Sequence, residues 1–164
     1  IVVNFVDQLA HRRSESDVLK EMVPDESGYR KAVSNWYAKS WIKNVLYELS
    51  LAGYNVIMTS DHGSVMVSEW ATVSADKSSS TGIRYKYGTN INTSDKKALD
   101  IRILNEYRLP DLGVRANYLI AKDNFYFVYP NEQKKYQRML QNSFQHGGIS
   151  IEEMLIPVLT MKPI

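Results

Sequence analysis

The residues best suited to chemistry are three histidines, each in a short motif with candidate metal ligands. The motifs are Asp7-x-x-x-His11, Asp61-His62-Gly63 and His146-Gly147-Gly148. Carboxylate oxygens and imidazole nitrogens are ligands that Zn²⁺ accepts in proteins. Two consecutive glycines after a histidine indicate a backbone that lies close against another group. Taken singly, each motif also has an ordinary explanation: an exposed surface pair, a turn capped by the aspartate, and a plain loop histidine.

The positions of these residues predict a shared site at the ends of strands. Asp7 follows the apolar run Ile1–Val6, and Asp61 follows the run Tyr54–Thr59; both runs are typical of buried strands. In open α/β sheets, ligands collect at the carboxyl ends of strands. A helical turn after Asp7 would place His11 on the same face. Two carboxylates and three imidazoles exceed one tetrahedral zinc site, so we predict two metal ions roughly 3.5–4 Å apart, as in phosphatases.

The elements around these motifs predict an α/β domain. The order helix, strand, loop before Asp61 favours a mostly parallel sheet flanked by helices. A capping-box pattern at Ser14 and Asp17 predicts a helix start, and Gly53 is the expected end of a later helix. The predicted elements of this half are helices at 14–22, 29–39 and 42–49 and strands at 1–6, 54–59 and 64–73.

Residues 74–95 form a polar stretch with little periodicity, which is typical of a long surface excursion. Arg84, Lys86 and Lys77 are candidates to contact the phosphate oxygens of a substrate, and solvated loop charges are the alternative. The serines at positions 78–80 are rejected as nucleophiles, because nothing places them at a strand end beside the histidines.

The last third of the chain mixes helical, hairpin and strand patterns. The predictions are a helix at 96–104, a hairpin of Asn117–Ile120 and Phe125–Tyr129 around residues 122–124, a helix at 131–142, a second capping box at Ser150 and Glu153, and a strand at Met154–Met161 interrupted by Pro157.

The composition is that of an ordinary globular chain of one domain, with 164 residues, 44% hydrophobic and 23% charged. A net charge of +2 argues against a dedicated DNA binder. The absence of cysteine excludes disulfides and thiolate zinc sites. No window has the pattern of a signal peptide or membrane span, so we expect a cytoplasmic protein. Because the chain opens within a predicted buried strand, we also expect it to be a fragment of a longer protein.

The ordered motifs resemble those of the alkaline phosphatase superfamily, in which D-x-x-x-H, D-H and a late H supply metal ligands. The segments NFVDQLAHRR, TSDHGS, RYKYG and FQHGGISIEEMLIPV are closer still to PglZ domains, and the chain looks most like the C-terminal domain of PorX-type response regulators. The resemblance implies an alkaline-phosphatase-like three-layer sandwich, of which residues 1–164 are the C-terminal portion. It implies one zinc ion held by Asp7, His11 and His146, and a second held by Asp61 and His62.

The resemblance also implies a function, and the chain departs from the family pattern in one respect. The implied activity is that of a zinc-dependent phosphodiesterase acting on phosphate esters such as nucleotides or oligonucleotides. The family also uses an upstream aspartate and a Thr or Ser nucleophile on an earlier strand, and neither is found here because Asp7 already lies near residue 1. We therefore expect the nucleophile upstream of this chain, and we expect the chain alone to be inactive.

Two alternatives to the enzyme remain open. The first is a non-catalytic signalling or protein-interaction module. For either function, the PorX-like resemblance implies an upstream receiver domain, a homodimer and a role in controlling type IX secretion. The second alternative is a metal-free structural domain with coincidental histidines, which a measurement of metal content distinguishes from the others.

Overall fold

The computed structural model describes residues 1–74, 82–94, 96–110, 113 and 115–164. The chain divides into two compact units. The first unit comprises residues 1–63 and 155–164, and the second unit comprises residues 64–154. Lys77, Ser78, Ser79 and Ser80 lie outside the described residues, so the predictions made for them stay predictions.

Helices make up most of the first unit. They are α1 (Phe5–Arg13), α2 (Asp17–Met22), α3 (Glu26–Lys39) and α4 (Trp41–Leu51). The side chain of Ser16 caps α2 by accepting the Leu19 N–H, and Asp25 caps α3 in the same way. The predicted helix start at Ser14 is wrong, because Ser14 follows α1 and its hydroxyl donates to the His11 carbonyl at 2.7 Å.

The predicted strand at Ile1–Val6 is also wrong, because α1 begins at Phe5. The Gln8 N–H bonds the Asn4 carbonyl, which closes the first helical turn. The Phe5 ring stacks on Trp36 with centroids 4.4 Å apart, so its apolar surface packs on a helix. A short apolar run does not by itself distinguish a strand from a buried helical turn, and this contact decides the outcome.

A two-stranded antiparallel ribbon completes the first unit. Strand β1 (Val56–Thr59) pairs with β9 (Val158–Met161). Gly53 ends α4 as predicted, with a φ of +79° that glycine adopts at little cost. The strand predicted after Gly53 is confirmed, but Ile57 is exposed, so β1 is not buried on both faces.

The second unit is built of short strands packed around a small apolar cluster of Ile101, Leu104 and Ala116 and two larger apolar clusters. The strands are β2 (Val65–Val67), β3 (Glu69–Thr72), β4 (Tyr85–Thr89), β5 (Ala98–Ile101), β6 (Ala116–Ala121), β7 (Phe125–Val128) and β8 (Ser143–Gln145). Strand β2 pairs with antiparallel β8, β3 with parallel β7, and β6 lies between antiparallel β4 and β5. The two larger clusters contain Ala71, Val73, Ile91, Leu119, Ala121 and Phe127 in one case and Val65, Val67, Tyr126, Val128 and Leu140 in the other.

The mixture of helices and strands fits the α/β prediction, whereas the mostly parallel sheet is wrong for the described strands. Of the five pairings in the described part of the chain, only β3–β7 is parallel. Parallel neighbours need long crossovers, which are usually helical. Between β2 and β7 the described residues hold strands, turns and one 3₁₀ turn at Leu104–Tyr107 rather than long helices.

Two predictions for the middle of the second unit are wrong. The predicted helix at 96–104 is instead strand β5 followed by a 3₁₀ turn. The predicted hairpin does not form, because β6 pairs with β4 and β5 while β7 pairs with β3. Both outcomes depend on distant partners. Asn117 of β6, for example, bonds the backbone N–H and C=O of Ile91 through its side-chain amide.

Predictions for the end of the chain are confirmed in part, because the strand predicted at Met154–Met161 is limited to Val158–Met161 and Met154 ends a helix. Helix α5 (Gln133–Leu140) follows a 3₁₀ turn at Pro130–Glu132, and the final strand β9 begins directly after Pro157. Helix α6 (Ile151–Met154) follows Ser150, whose backbone N–H donates to the Glu153 carboxylate at 3.0 Å, which is one of the two bonds of a capping box. The other bond is not formed, because the Ser150 hydroxyl is buried without a hydrogen-bond partner among the described residues. Across the described parts of the chain, none of the helices has the length and apolar character needed to cross a membrane.

Candidate metal centre

Helix α1 carries Asp7 and His11 on one face, as their spacing predicts. Asp7 Oδ1 lies 3.3 Å from His11 Nε2, the geometry of side chains one helical turn apart. Both side chains are about half exposed, so a ligand in solution can reach them.

Buried contacts hold α1 in place at both ends. At its C-terminal end the buried Arg13 donates from Nε to the Val23 carbonyl and from Nη2 to the Pro24 carbonyl, the latter at 2.6 Å. At its N-terminal end, Phe5 stacks on Trp36 and so holds α1 against α3. The helix that presents Asp7 and His11 is therefore ordered by the fold itself, as a binding site requires.

Tyr29 of α3 contacts the beginning of α1 beside Asp7. Its hydroxyl donates to the Val6 carbonyl at 3.0 Å. Burial, and secondly the negative charge of Asp7, raise the pKa of Tyr29 to about 12. The phenol therefore stays protonated and keeps its donor role at every physiological pH.

Asp61 and His62 lie just beyond the end of β1. Asp61 Oδ1 accepts the His62 backbone N–H at 3.1 Å, so the aspartate shapes the turn. His62 Nδ1 lies 3.0 Å from the Gly63 carbonyl oxygen, and Nε2 lies 3.7 Å from Asp61 Oδ2. In the tautomer that donates Nδ1–H to this carbonyl, Nε2 carries the lone pair that a metal ion would take.

The fold of the first unit brings one member of each pair close to one member of the other. A carboxylate oxygen of Asp7 and a ring nitrogen of His62 lie within 4.8 Å of each other. We call Asp7, His11, Asp61 and His62 the acid–imidazole cluster. Its members come from a helix near the start of the chain and from the turn after β1, which are far apart in sequence.

The donor types of the cluster are those that a divalent metal ion takes, and the donors of Asp7 and His62 lie within reach of one another. Two carboxylates and two imidazoles are ligands that zinc binds at about 2.0–2.2 Å. The Asp61 side chain is 89% exposed and can turn toward a ligand without disturbing packed groups. The Gly63 carbonyl beside His62 Nδ1 is the kind of outer contact that commonly orients a metal-binding histidine.

His146 directly follows β8 in the second unit and is half-buried. The close approach predicted for the glycines after it is confirmed. Gly147 has a φ of +101°, and a Cβ atom at Gly148 would lie 2.4 Å from the Arg84 guanidinium. The loop is therefore packed against neighbouring groups, unlike a plain solvent-exposed loop.

Arg84 and Lys86, predicted to contact substrate from a surface excursion, are instead buried. Arg84 is 0% exposed and forms an ion pair with Glu153, while Lys86 Nζ lies 4.6 Å from the ring centroid of Tyr129. Lys86 lies in strand β4, whose alternate side chains turn inward, and Arg84 directly precedes that strand, where Glu153 pairs with it. Neither cation is retained as a substrate contact, because both charges are directed into the interior.

Two residues that anchor α1 escape the sequence patterns, and a residue beside the His146 loop carries a signal of a different kind. Arg13 and Tyr29 anchor α1, and no local signal marks either of them as buried. Glu153 does carry a signal, the capping-box spacing to Ser150, but this spacing predicts a helix start and not an ion pair.

Comparisons with known proteins agree with the metal-binding chemistry of the cluster. The family model of the BREX system PglZ alkaline phosphatase-like domain matches residues 1–161. A search of curated proteins finds no match. Alkaline phosphatase-like domains have a phosphoesterase-type fold and are generally metal-dependent. Since the match spans nearly the whole sequence, the chain belongs to the PglZ family of alkaline phosphatase-like domains.

Proposed function

We propose that this chain is the metal-binding portion of a zinc-dependent phosphodiesterase, acting on substrates such as nucleotides or oligonucleotides. The observation that carries the proposal is the approach of Asp7 and His62 to within 4.8 Å. These two ligand types come from separate elements and lie in a chain whose family has a phosphoesterase-type fold. Each of the two also has a second ligand type beside it in its own segment, His11 for Asp7 and Asp61 for His62.

The proposed ligand sets follow the family resemblance. Asp7, His11 and His146 hold one zinc ion, and Asp61 and His62 hold the other. Contacts within the acid–imidazole cluster support four of these ligands. His146 belongs to the second unit and is assigned from the sequence alone. When bound, the ions supply positive charge that stabilises the charge developing on a phosphate ester during phosphoryl transfer.

The chain's own residues have distinct tasks in this proposal. The two aspartates supply the negative charge that retains a cation, and the histidines bind in their neutral form. The Gly63 carbonyl orients His62, and the protonated Tyr29 holds the first turn of α1. The nucleophilic hydroxyl and a further aspartate are proposed to come from outside residues 1–164, so this chain alone is expected to bind metal without turnover.

The wider setting is proposed from the same resemblance. It comprises a three-layer sandwich for the complete domain and an upstream receiver domain of a PorX-type response regulator. It also comprises a homodimer in the cytoplasm and a role in controlling type IX secretion.

A non-catalytic interaction module is the second candidate function. The observation that favours it is the exposure of apolar side chains in the first unit, including Ile57, Val158 and Leu159 of the β1–β9 ribbon and Trp41 of α4. Two-stranded ribbons are marginally stable alone in water, and extended exposed apolar surfaces mark interaction sites.

Zinc titration by calorimetry, with metal content measured in parallel, tests the ligand proposal. Asp7→Asn and His62→Ala are each expected to weaken zinc binding by more than about tenfold, because each removes a ligand. Asp17→Asn is the matched control, since Asp17 is an exposed carboxylate on α2 that contacts only Lys20 among its recorded ion pairs. Unchanged zinc affinity in both cluster variants would reject the site.

Hydrolysis of bis-p-nitrophenyl phosphate by the full-length protein separates the enzyme from the interaction module. His62→Ala is expected to abolish turnover while circular dichroism stays unchanged. Full-length protein that binds zinc but shows no turnover would favour the module.

A further inference from the structure

One carboxylate ties down the loop that carries His146. Glu153 of α6 is 4% exposed. Its Oε1 accepts the Gly148 N–H at 2.9 Å, and its Oε2 accepts the Ser150 N–H at 3.0 Å. The backbone that follows His146 is therefore bonded to the same side chain at two points.

Arg84 holds this carboxylate from the opposite side. Its Nε donates to Glu153 Oε1 at 2.8 Å, and Nη2 donates to Oε2. The remaining guanidinium hydrogens point to the carbonyls of Asp123, at 2.8 Å, and Phe125. Arg84 therefore joins the region just before β4, the turn between β6 and β7, and the His146 loop, all within the second unit.

The two glycines permit this close packing. A Cβ atom at Gly148 would lie 2.4 Å from the Arg84 guanidinium and 2.7 Å from the Ala121 carbonyl oxygen. A Cβ atom at Gly147 would lie 2.9 Å from the Tyr85 ring. The Ile149 N–H bonds the same Ala121 carbonyl at 3.1 Å. Every residue from 147 to 150 is thus constrained by a contact with a distant part of the second unit or with Glu153.

Stability alone is a weak explanation for such a pair. Well-packed apolar residues of similar volume are often as stabilising as a buried ion pair, because both charges must be removed from water. A fully hydrogen-bonded ion pair does fix one geometry, because each N–H donor has few other acceptors within reach. The geometry it defines here is that of the loop beginning at His146.

We propose that Arg84 and Glu153 are positioning residues, which fix the backbone of residues 146–150 and thereby orient the His146 ring for metal binding. The inference rests on the proposed function, which makes His146 a metal ligand. Both residues act through His146 and the loop backbone.

A double-mutant cycle on the 164-residue chain, with Co²⁺ as the probe, tests the inference. Glu153→Gln is expected to lower Co²⁺ affinity roughly 10–100-fold and to change the visible absorption of the bound ion, as losses of outer-shell contacts commonly do. In a His146→Ala background the same change is expected to alter affinity by less than about twofold, since the residue through which it acts is gone. Equal losses in both backgrounds, or no loss in either, would overturn the inference.

The matched control is Glu132→Gln, which removes an exposed carboxylate paired with Lys135 at 3.1 Å. It is expected to leave Co²⁺ affinity and absorption unchanged. If Glu153→Gln does not fold, Arg84→Lys is compared in the same two backgrounds instead. Lysine keeps the charge but loses the planar fork that binds a carboxylate.

The ring resonances of His146 in the metal-free chain give a second readout that does not depend on metal. Glu153→Gln and Arg84→Lys are expected to shift or broaden these signals and to leave those of His11 in place. Unshifted His146 signals in a folded variant would overturn the inference. Shifted signals in a chain that binds no Co²⁺ would reject the proposed function and support the positioning role alone.

Discussion

Acidic and basic side chains meet in two regions of this chain, and the regions are organised in opposite ways. In the acid–imidazole cluster the side chains are accessible, and the recorded ion-pair distances are 3.3 and 3.7 Å. Around Arg84 and Glu153 the side chains are buried, and N–H donors surround the carboxylate at distances of 2.5–3.0 Å. The acid–imidazole cluster can therefore accept a ligand, whereas Arg84 and Glu153 bind each other and groups of the protein's own backbone.

Exposure and pairing, rather than residue type, distinguish the charged side chains that can bind a ligand from those that stabilise the fold. Arg84 has the residue type of a phosphate ligand and lies in a polar stretch of sequence, yet it is wholly engaged in the interior. Asp7 and His62 also have the residue types of ligands, and they converge at an accessible position. The predictions below test this contrast, beginning with the largest expected effect.

Glu153→Ala is expected to lower the free energy of unfolding by about 3–5 kcal/mol, because it leaves the Arg84 charge buried without its partner. Urea denaturation followed by circular dichroism measures the change. Glu132→Ala, which removes an exposed carboxylate, is expected to change it by less than about 0.5 kcal/mol. Similar losses in the two variants would remove the contrast between buried and exposed pairs.

The buried pair also predicts a loss of stability in acid. Burial alone would raise the pKa of Glu153, but hydrogen bonds from Arg84 and Gly148 outweigh it and hold that pKa below the ordinary value of 4.5. The carboxylate's stabilisation is therefore complete above the unfolded-state value and is lost as pH falls through the lowered folded-state pKa. Unfolding free energies measured across this range should fall more steeply for wild type than for Glu153→Gln. Parallel curves would contradict the assignment.

Gly148→Ala is expected to cost about 1–3 kcal/mol or more, because the added methyl group meets the Arg84 guanidinium and the Ala121 carbonyl. Gly53→Ala is the matched comparison, since its Cβ would meet nothing within 4 Å and only its positive φ opposes the change. That variant should cost about 1–2 kcal/mol at most. Thermal unfolding of both variants measures which substitution costs more stability. A larger loss of stability for Gly53→Ala would show that the His146 loop is not tightly packed.

Asp7→Asn is expected to have the smallest effect on the metal-free chain, within about 0.5 kcal/mol, because the side chain is accessible. In the presence of saturating zinc, wild type should gain stability that this variant does not, since a ligand that binds only the folded state stabilises it. Melting temperatures with and without zinc measure both effects. Equal zinc stabilisation of the two chains would show that the cluster does not bind the metal.

Much of the candidate site follows from local patterns in the sequence. The i, i+4 spacing of Asp7 and His11, the two glycines after His146 and the capping box at Ser150 each depend on residues a few positions apart. Helix geometry and backbone crowding impose these patterns directly, although the similar pattern at Ser14 and Asp17 does not mark a helix start.

The features that the sequence does not reveal depend on partners far along the chain. The apolar run at Ile1–Val6 becomes a helix start because Phe5 packs on Trp36. The predicted hairpin fails because β6 and β7 each find other strands. The burial of Arg84 depends on Glu153, 69 residues later. No periodicity within a window encodes contacts of this range, so tertiary packing overrides the local preference.

The β1–β9 ribbon has a consequence for how the chain acquires its structure. Thr59 donates its hydroxyl to the Pro157 carbonyl across 98 residues, and the entire second unit is inserted between the two strands. Helices α1 to α4 can form from local contacts, but the ribbon has to wait until residues 158–161 are synthesised, which makes its closure a slow, non-local step. A nascent or truncated chain that lacks β9 presents β1 as an open edge, and we expect such chains to self-associate.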